Sequence, residues 1–488
     1  MSHKRNTPTE ASTKDQRIAE LERERGELEL ELVRQRATNQ RQGVAILRLQ
    51  KLLERIREEN EALKREGKRQ AAPFARRKLV EHPKRPGRKA GQGKFFRREQ
   101  PAPKQVNKTK VAKLHGCPEC GSGRLRNIHE HEQYVADIPD IQPIITRYVT
   151  YSGYCTDCRK RVRSRHPKQI SQATGAAGVL VGPRAKALAA DLKHRLGVSY
   201  GKVSETLNDA FGLQVGRSGW CQADRRLARQ AQPVYRDLIQ VARCSSVIHA
   251  DETGWRIGTL PGWLWVFTNQ EVTVYAIRDN RSSDVVIEIL GKKFKGVLAS
   301  DCFLAYDEKR LEDWLKQKCL SHLLLDLKEI EESKTGRAAQ FARDGTALLR
   351  AALVLKAEKP KLDPALFAQR AQTLETQLDT LISRQRQLKD LDNLRFARRL
   401  RKHRPHLLPF LYVEGLDATN NHAERQIRPA VIIRKTNGCN RAKEGAETHE
   451  ILASVLVTCR QHDVPILDYM VSLQRFGETP PSLAAAPP

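Results

Sequence analysis

SSVIHADETGWRIGTLPGWLWVFTNQEVTVYAIRD, residues 245–279, decides how the rest of the chain is read. SSVIHADET, GWLWVFTNQ and VTVYAIRD are short runs rich in Val, Ile, Trp, Phe and Tyr, broken by Gly, Pro and Asn, so they predict three consecutive strands. Outward from them, SDVVIEILG (283–291) predicts a helix, GVLASD (296–301) a fourth strand and CLSHLLLDL (319–327) a fifth. Residues 327–410 are helical in pattern, and the strand and helix grammar returns around Glu424. Asp251 falls at the end of the first strand and Asp301 at the end of the fourth. Two carboxylates at strand ends are costly to crowd unless a cation compensates them. With Glu424 from a helix they make three hard oxygen ligands, a set that suits two Mg²⁺ ions ~3.5–4 Å apart and in-line phosphoryl transfer on DNA. Taken singly, each acid has a plainer reading: an aspartate that closes a strand caps the next turn, and Glu424 pairs with Arg428 four residues on.

The chain has 488 residues, beyond the size at which one core keeps growing, so several domains are expected. No apolar run approaches the ~20 residues of a spanning helix, and MSHKRNTPTEASTKDQ lacks the apolar segment of a signal peptide. The expectation is a cytoplasmic, nucleoid-associated protein whose ten cysteines are metal ligands or buried thiols. With 87 Lys and Arg against 57 Asp and Glu, the formal charge of +30 points to a polyanion. A membrane surface is disfavoured, because no amphipathic helix carries the basic residues opposite a Trp or Phe face.

From Ile18 to Leu63, fourteen positions spaced alternately three and four apart include nine apolar residues, which predicts a coiled coil with a weak joint near Asn39 and Gly43. Residues 64–113 carry 18 Lys or Arg against Glu66, Glu81 and Glu99, the composition of a flexible basic arm. Within it Arg85 and Arg88 flank Pro86-Gly87, in the manner of minor-groove arms. CPEC and YCTDC then present Cys117, Cys120, Cys155 and Cys158, two C-x2-C knuckles suited to one structural Zn²⁺, with YVADI and ITRYVTYSGY as the expected ribbon between them. The 34 residues between the pairs exceed the usual spacing of 15 to 20. SYGKVSETLNDAFGLQVGRSGWCQADRRLA predicts two helices joined near Phe211-Gly212-Leu213, like a helix-turn-helix with Arg217 and Arg225 toward DNA.

Strand, strand, strand, helix, strand, with acids on the first and fourth strands and a glutamate on a later helix, resembles the ribonuclease H-like core of DDE transposases. HADETGW with WLWVF, VLASDCFLAYD (297–307) and TNNHAERQIRPAVIIRK (419–435) resemble the IS66 insertion-sequence family, and the zipper, paired CxxC and helical region follow its usual order. The resemblance implies a transposase that cuts element ends and joins them to a target, with Asp251, Asp301 and Glu424 as catalytic ligands of two Mg²⁺ (or Mn²⁺). Arg425, Arg428, Arg434 and Lys435 would hold DNA phosphates, while Cys319, His322 and Asn421 would support the active site. Asn420 and Asn421 fit as helix caps, and Pro429 should end or kink the helix. Trp255, Trp263 and Trp265 are expected mainly in packing. The family's paired arginines after Cys-x2-His are here Leu324 and Leu325, and its aspartate before the two asparagines is Thr419.

The expected fold class is multidomain α+β. Its parts are a coiled coil (1–66), basic linker (67–113), zinc ribbon-like module (114–166), helical DNA-binding region (167–240), first part of the ribonuclease H-like core (241–326), helical insertion (327–412), second part of the core (413–476) and disordered tail (477–488). Expected partners are double-stranded DNA, both terminal repeats and target, a second copy or more of the chain, and accessory transposition proteins. Two rivals stay open: a non-catalytic zinc-dependent DNA-binding regulator, and a ribonuclease H-like nuclease that hydrolyses without strand transfer.

Overall fold

A computed structural model describes residues 17–36, positions 39, 42–43, 46, 49–50 and 52–54, residues 99–475 and residues 482–483. The chain forms two units, Met1–Arg98 and Glu99–Pro488. In the first, residues 17–36 make one helix, α1, and its seam residues Ile18, Leu21, Leu28 and Leu32 are all exposed. Ile46, Leu49 and Leu53 are helical and exposed too, while Ile56, Asn60, Leu63, Arg85 and Arg88 lie outside the described residues.

The second unit opens with extended chain. Its first sheet is the hairpin β1 (Ser152–Cys155) and β2 (Lys160–Arg163), antiparallel with Cys155 opposite Lys160. The ribbon expected across YVADI is not there: only the last residues of ITRYVTYSGY enter a strand, and Ile138, Ile144 and Ile145 are more than four-fifths exposed. Apolar alternation makes a strand only where a ladder partner and a covered face exist, and this segment has neither among the described residues.

Helix α2 (Pro183–Ala190) runs into a π turn at Asp191–Arg195, followed by α3 (Tyr200–Phe211) and α4 (Arg217–Cys244). Ser199 accepts from the Lys202 N–H to start α3, and Gly212, at φ +64°, ends it in the left-handed region that glycine adopts freely. Val203, Leu207 and Trp220 form a small core between α3 and α4, and further along α4 Leu227, Ala231, Leu238 and Ala242 join the main core. One 28-residue helix therefore serves both the helical hairpin and the sheet.

The strands β3 (Val247–Ile257), β4 (Leu260–Thr268) and β5 (Thr273–Arg278) form an antiparallel meander. Helix α5 (Ser283–Leu290) crosses over so that β6 (Val297–Ser300) lies parallel to β3, and β7 (Lys316–Lys318) lies parallel to β6. The mixed sheet reads β5-β4-β3-β6-β7. Period-two alternation sorts its faces: Ile248, Ala250, Trp265, Phe267, Val274 and Ala276 pack with α4 and α5, while Leu264, Val266, Tyr275 and Ile277 pack under Ala423, Ile427, Ala430 and Ile433 of α10 (Asn421–Asn437). Helix α11 (Lys443–Gln461) closes the outer edge of β5. The N–H groups of Ile277, Tyr275 and Thr273 donate to Glu450, Ser454 and Thr458 at 2.7, 2.9 and 3.2 Å, three side chains four residues apart on one helix face.

The fifth strand was expected at CLSHLLLDL, and the structure corrects this. That segment is the start of α6 (Leu320–Ser333), with Leu320, Leu323 and Leu327 buried at helical spacing. The strand is the preceding Lys316-Gln317-Lys318, buried yet polar, so hydropathy pointed past it. With α7 (Gly336–Glu358), α8 (Pro364–Ser383) and α9 (Leu391–Lys402), α6 builds a second core that meets the sheet at Val247, Val297 and Ala299. Pro429 does not end α10, which runs on to Asn437 and stops at Gly438, φ +72°. The Tyr275 hydroxyl donates to the Gln426 carbonyl at 2.7 Å, serving an acceptor in the turn whose ladder the proline interrupts. After α12 (Ile466–Ser472) the tail expected at 477–488 is described only at 482–483, where Leu483 is buried in the main core. No helix among the described residues is long and apolar enough to cross a membrane.

Candidate active site

Asp251 lies in the middle of β3, not at its end, because β4 extends the hairpin ladder to Ile257. The parallel ladder is shorter: it stops at His249 opposite Ala299, and Asp251 and Asp301 each stand two residues beyond that pair. The two acids thus meet where β6 gives out, and Asp301 turns the chain by accepting the Phe303 N–H at 2.9 Å. Glu424 sits in the first turn of α10. Asp301 and Glu424 both lie within electrostatic reach of Asp251, while the carboxylate oxygens of the three acids do not all lie within 4.8 Å of one another. Burial first, then the negative charges of Glu252, Asp301 and Glu424, push the Asp251 carboxyl up to about 7.

Residues to which sequence reading assigns no site role support this arrangement. Glu252 is buried, pairs with Arg281 at 2.5 Å and accepts from the Tyr306 hydroxyl at 2.5 Å; burial raises its pKa against both partners. The Arg281 guanidinium lies 3.6 Å over Phe303 and 4.6 Å over Trp263. Lys318 is fully buried, pairs with Asp307 at 2.8 Å and donates to the Asp301 carbonyl at 3.0 Å, pinning the turn that carries the acid. Asn420 occupies the N-cap of α10 but its side chain does not cap: it donates to the Ala250 carbonyl at 2.7 Å and meets His249 Nδ1 at 3.2 Å. Its N–H donates to Cys319 Sγ at 3.1 Å. One residue thereby ties the strand of Asp251 to the helix of Glu424. The only sequence signal was two adjacent asparagines.

Cys319 and His322, at the start of α6, come to Glu424: the ligand atoms of all three lie within 4.8 Å of one another, and His322 Nδ1 is 3.9 Å from Glu424 Oε1. Burial raises the Cys319 thiol, but hydrogen bonds from His322 and the Asn420 N–H outweigh it and hold the thiol below its ordinary value. The contact with Cys319 lifts His322 to about 9. The ion pair formed by Glu424 is thus with His322 of α6, four helices earlier in sequence, and not with Arg428.

The remaining expected site residues are placed as follows. Asn421 is the exposed first residue of α10, and Arg425 and Arg428 are exposed along it. Arg434 is half-buried and donates to the Gly254 carbonyl of β3 at 2.9 Å, a structural tie. Lys435 is exposed at the end of α10. Arg217 is exposed at the start of α4; Arg225 is half-buried with its Nε enclosed. Trp255 and Trp265 are buried and Trp263 half-buried, all in packing. Cys117 with Cys120, and Cys155 with Cys158, each form a local hydrogen-bonded pair. The structure does not bring the two pairs together, since among the described residues the one group of three or more close ligand atoms is Cys319, His322 and Glu424.

A profile described as the Transposase IS66 family matches residues 178–448, from ahead of α2 into α11, and so spans Asp251, Asp301 and Glu424. No curated protein matches the chain.

Proposed function

The chain belongs to the IS66 transposase family, and from that premise we propose that it binds the ends of an insertion sequence and catalyses Mg²⁺- or Mn²⁺-dependent DNA strand cleavage and strand transfer. Asp251, Asp301 and Glu424 are the carboxylates that hold two metal ions. The observation that supports this reading is that Asp251 on β3 is raised by Asp301 after β6 and by Glu424 on α10, and the neighbouring charges that shift it are all carboxylates. A set of hard carboxylate oxygens that raise one another's pKa is what a divalent cation binds. When bound, two such ions activate the attacking oxygen and stabilise the leaving oxygen of an in-line transfer. The chain's own part is positioning: Lys318 fixes the Asp301 turn, Asn420 holds α10 against β3, and Arg425 and Arg428 offer positive charge on the helix that bears Glu424.

The strand order, a meander continued by two parallel strands, supports a ribonuclease H-like core interrupted by the helical insertion α6–α9. The formal charge of +30 supports double-stranded DNA as the partner, the α3–α4 hairpin with Arg217 is the proposed helix-turn-helix, and the site of action is the cytoplasm. Each CxxC pair is half of a four-thiolate Zn²⁺ site that needs the two pairs to close on each other.

Asp251→Asn, Asp301→Asn and Glu424→Gln keep shape and remove charge. Each should abolish cleavage and joining of a DNA end with a free 3′-hydroxyl while the protein still shifts end DNA on a gel. Cleavage retained by Glu424→Gln would remove Glu424 from the site, and hydrolysis without joining by the unaltered protein would favour a nuclease. The Cys117→Ser, Cys155→Ser double variant should lose about one zinc per chain; unchanged zinc content would end the four-thiolate assignment.

A further inference from the structure

The donors gathered by Cys319, His322 and Glu424 are one thiol sulfur, one imidazole nitrogen and one carboxylate oxygen. This set is wrong for Mg²⁺, which takes oxygens, and right for a softer ion, since Zn²⁺ binds Cys, His and carboxylate together at about 2.0–2.3 Å. The geometry is nearly made. Tetrahedral ligands of Zn²⁺ stand ~3.3–3.6 Å apart, so the 3.9 Å between His322 Nδ1 and Glu424 Oε1 needs only a small side-chain rotation. Cys319 is the N-cap of α6 and His322 stands three residues on, so both project from the same first turn. Thiolates are favoured at helix N-termini. Cys319 is buried, but the His322 and Glu424 side chains are 48% and 38% exposed, which leaves a path for an ion and a fourth position for water.

We propose that Cys319, His322 and Glu424 form a site for one thiophilic divalent cation, Zn²⁺ above all, and that filling it withdraws Glu424 from the Mg²⁺ site and stops strand cleavage. The second half rests on Glu424 being an Mg²⁺ ligand, as proposed above; the first half does not. The same carboxylate would belong to two incompatible metal sites, one hard and active, one soft and inactive.

Co²⁺ titration of the full chain, followed at the thiolate-to-cobalt charge-transfer band, tests the site. The CxxC thiols contribute equally to every variant and cancel. Cys319→Ser should bind about one Co²⁺ per chain fewer than the unaltered protein. His322→Asn, on the open side where folding is not at stake, should show the same loss. Equal stoichiometry and band intensity in all three proteins would overturn the site. In the second arm, micromolar Zn²⁺ should cut Mg²⁺-dependent cleavage by the unaltered protein at least tenfold, reversibly on chelation. His322→Asn, measured against its own zinc-free rate, should be far less sensitive. Equal inhibition of both proteins would overturn the inhibitory role. If no protein cleaves DNA even without zinc, the proposed activity fails, while the cobalt result still decides the site.

Discussion

Asp251 is held in an environment that favours its protonated form, and this has a thermodynamic sign. Its carboxyl is raised to about 7 by burial and by Glu252, Asp301 and Glu424. Between the ordinary carboxylate range and that value the folded protein binds more protons than the unfolded chain, so stability falls as pH rises through the window and the loss is complete above it. A shift of this size corresponds to about 2–4 kcal/mol after allowance for the half-open site. Asp251→Asn should therefore melt higher than the unaltered protein at pH ~8 without divalent ions, and the two should converge near pH ~4. Mg²⁺ should raise the melting temperature of the unaltered protein at the higher pH and leave that of Asp251→Asn nearly unchanged. Identical pH profiles by calorimetry would mean that Asp251 is ionised comfortably and needs no cation.

Two elements show how tertiary contacts override hydropathy. β7 is Lys316-Gln317-Lys318, three buried polar residues, and it is a strand because β6 supplies a parallel ladder and Asp307 neutralises Lys318. Asp307, also 3.1 Å from Lys402 and 3.6 Å from His403, is held below the ordinary carboxylate range: burial pushes it up, and the pairing with Lys318 outweighs that. Breaking a buried pair from one side leaves a charge uncompensated, so Lys318→Met should cost about 3 kcal/mol in denaturant unfolding and slow cleavage by loosening the Asp301 turn. Adding Asp307→Asn should recover most of the stability. A single variant as stable as the unaltered protein would mean that Lys402 and His403 suffice. α10 makes the converse point: Pro429 reads as a stop, yet Ala423, Ile427, Ala430 and Ile433 bury a continuous stripe against the sheet, and that packing carries the helix through.

Across the whole molecule the first unit has apolar surface to spare. Ile18, Leu21, Leu28 and Leu32 on α1 are 49–70% exposed, the seam expected of a coiled coil. We infer that residues 1–66 associate with the same segment of another copy. Removing them should lower the mass seen by light scattering, and an unchanged mass would move the interface to the second unit. The mixed α and β character, the strands β3 to β6 and the helices around Gly212 were legible in the sequence, because each rests on local periodicity or turn chemistry, and the three acids stood out there as candidates. The membership in the IS66 family follows from the same residues. What the sequence could not hold is anything set by contacts between distant segments. The parallel ladder that brings Asp251 beside Asp301, the use of Asn420 as a tie and not a cap, the polar strand β7 and the helix in place of a fifth strand all depend on partners 17 to 170 residues away. The sequence by itself determined which residues were available for chemistry; the tertiary structure decided which of them meet, because burial and pairing are properties of the assembled sheet and not of any one segment.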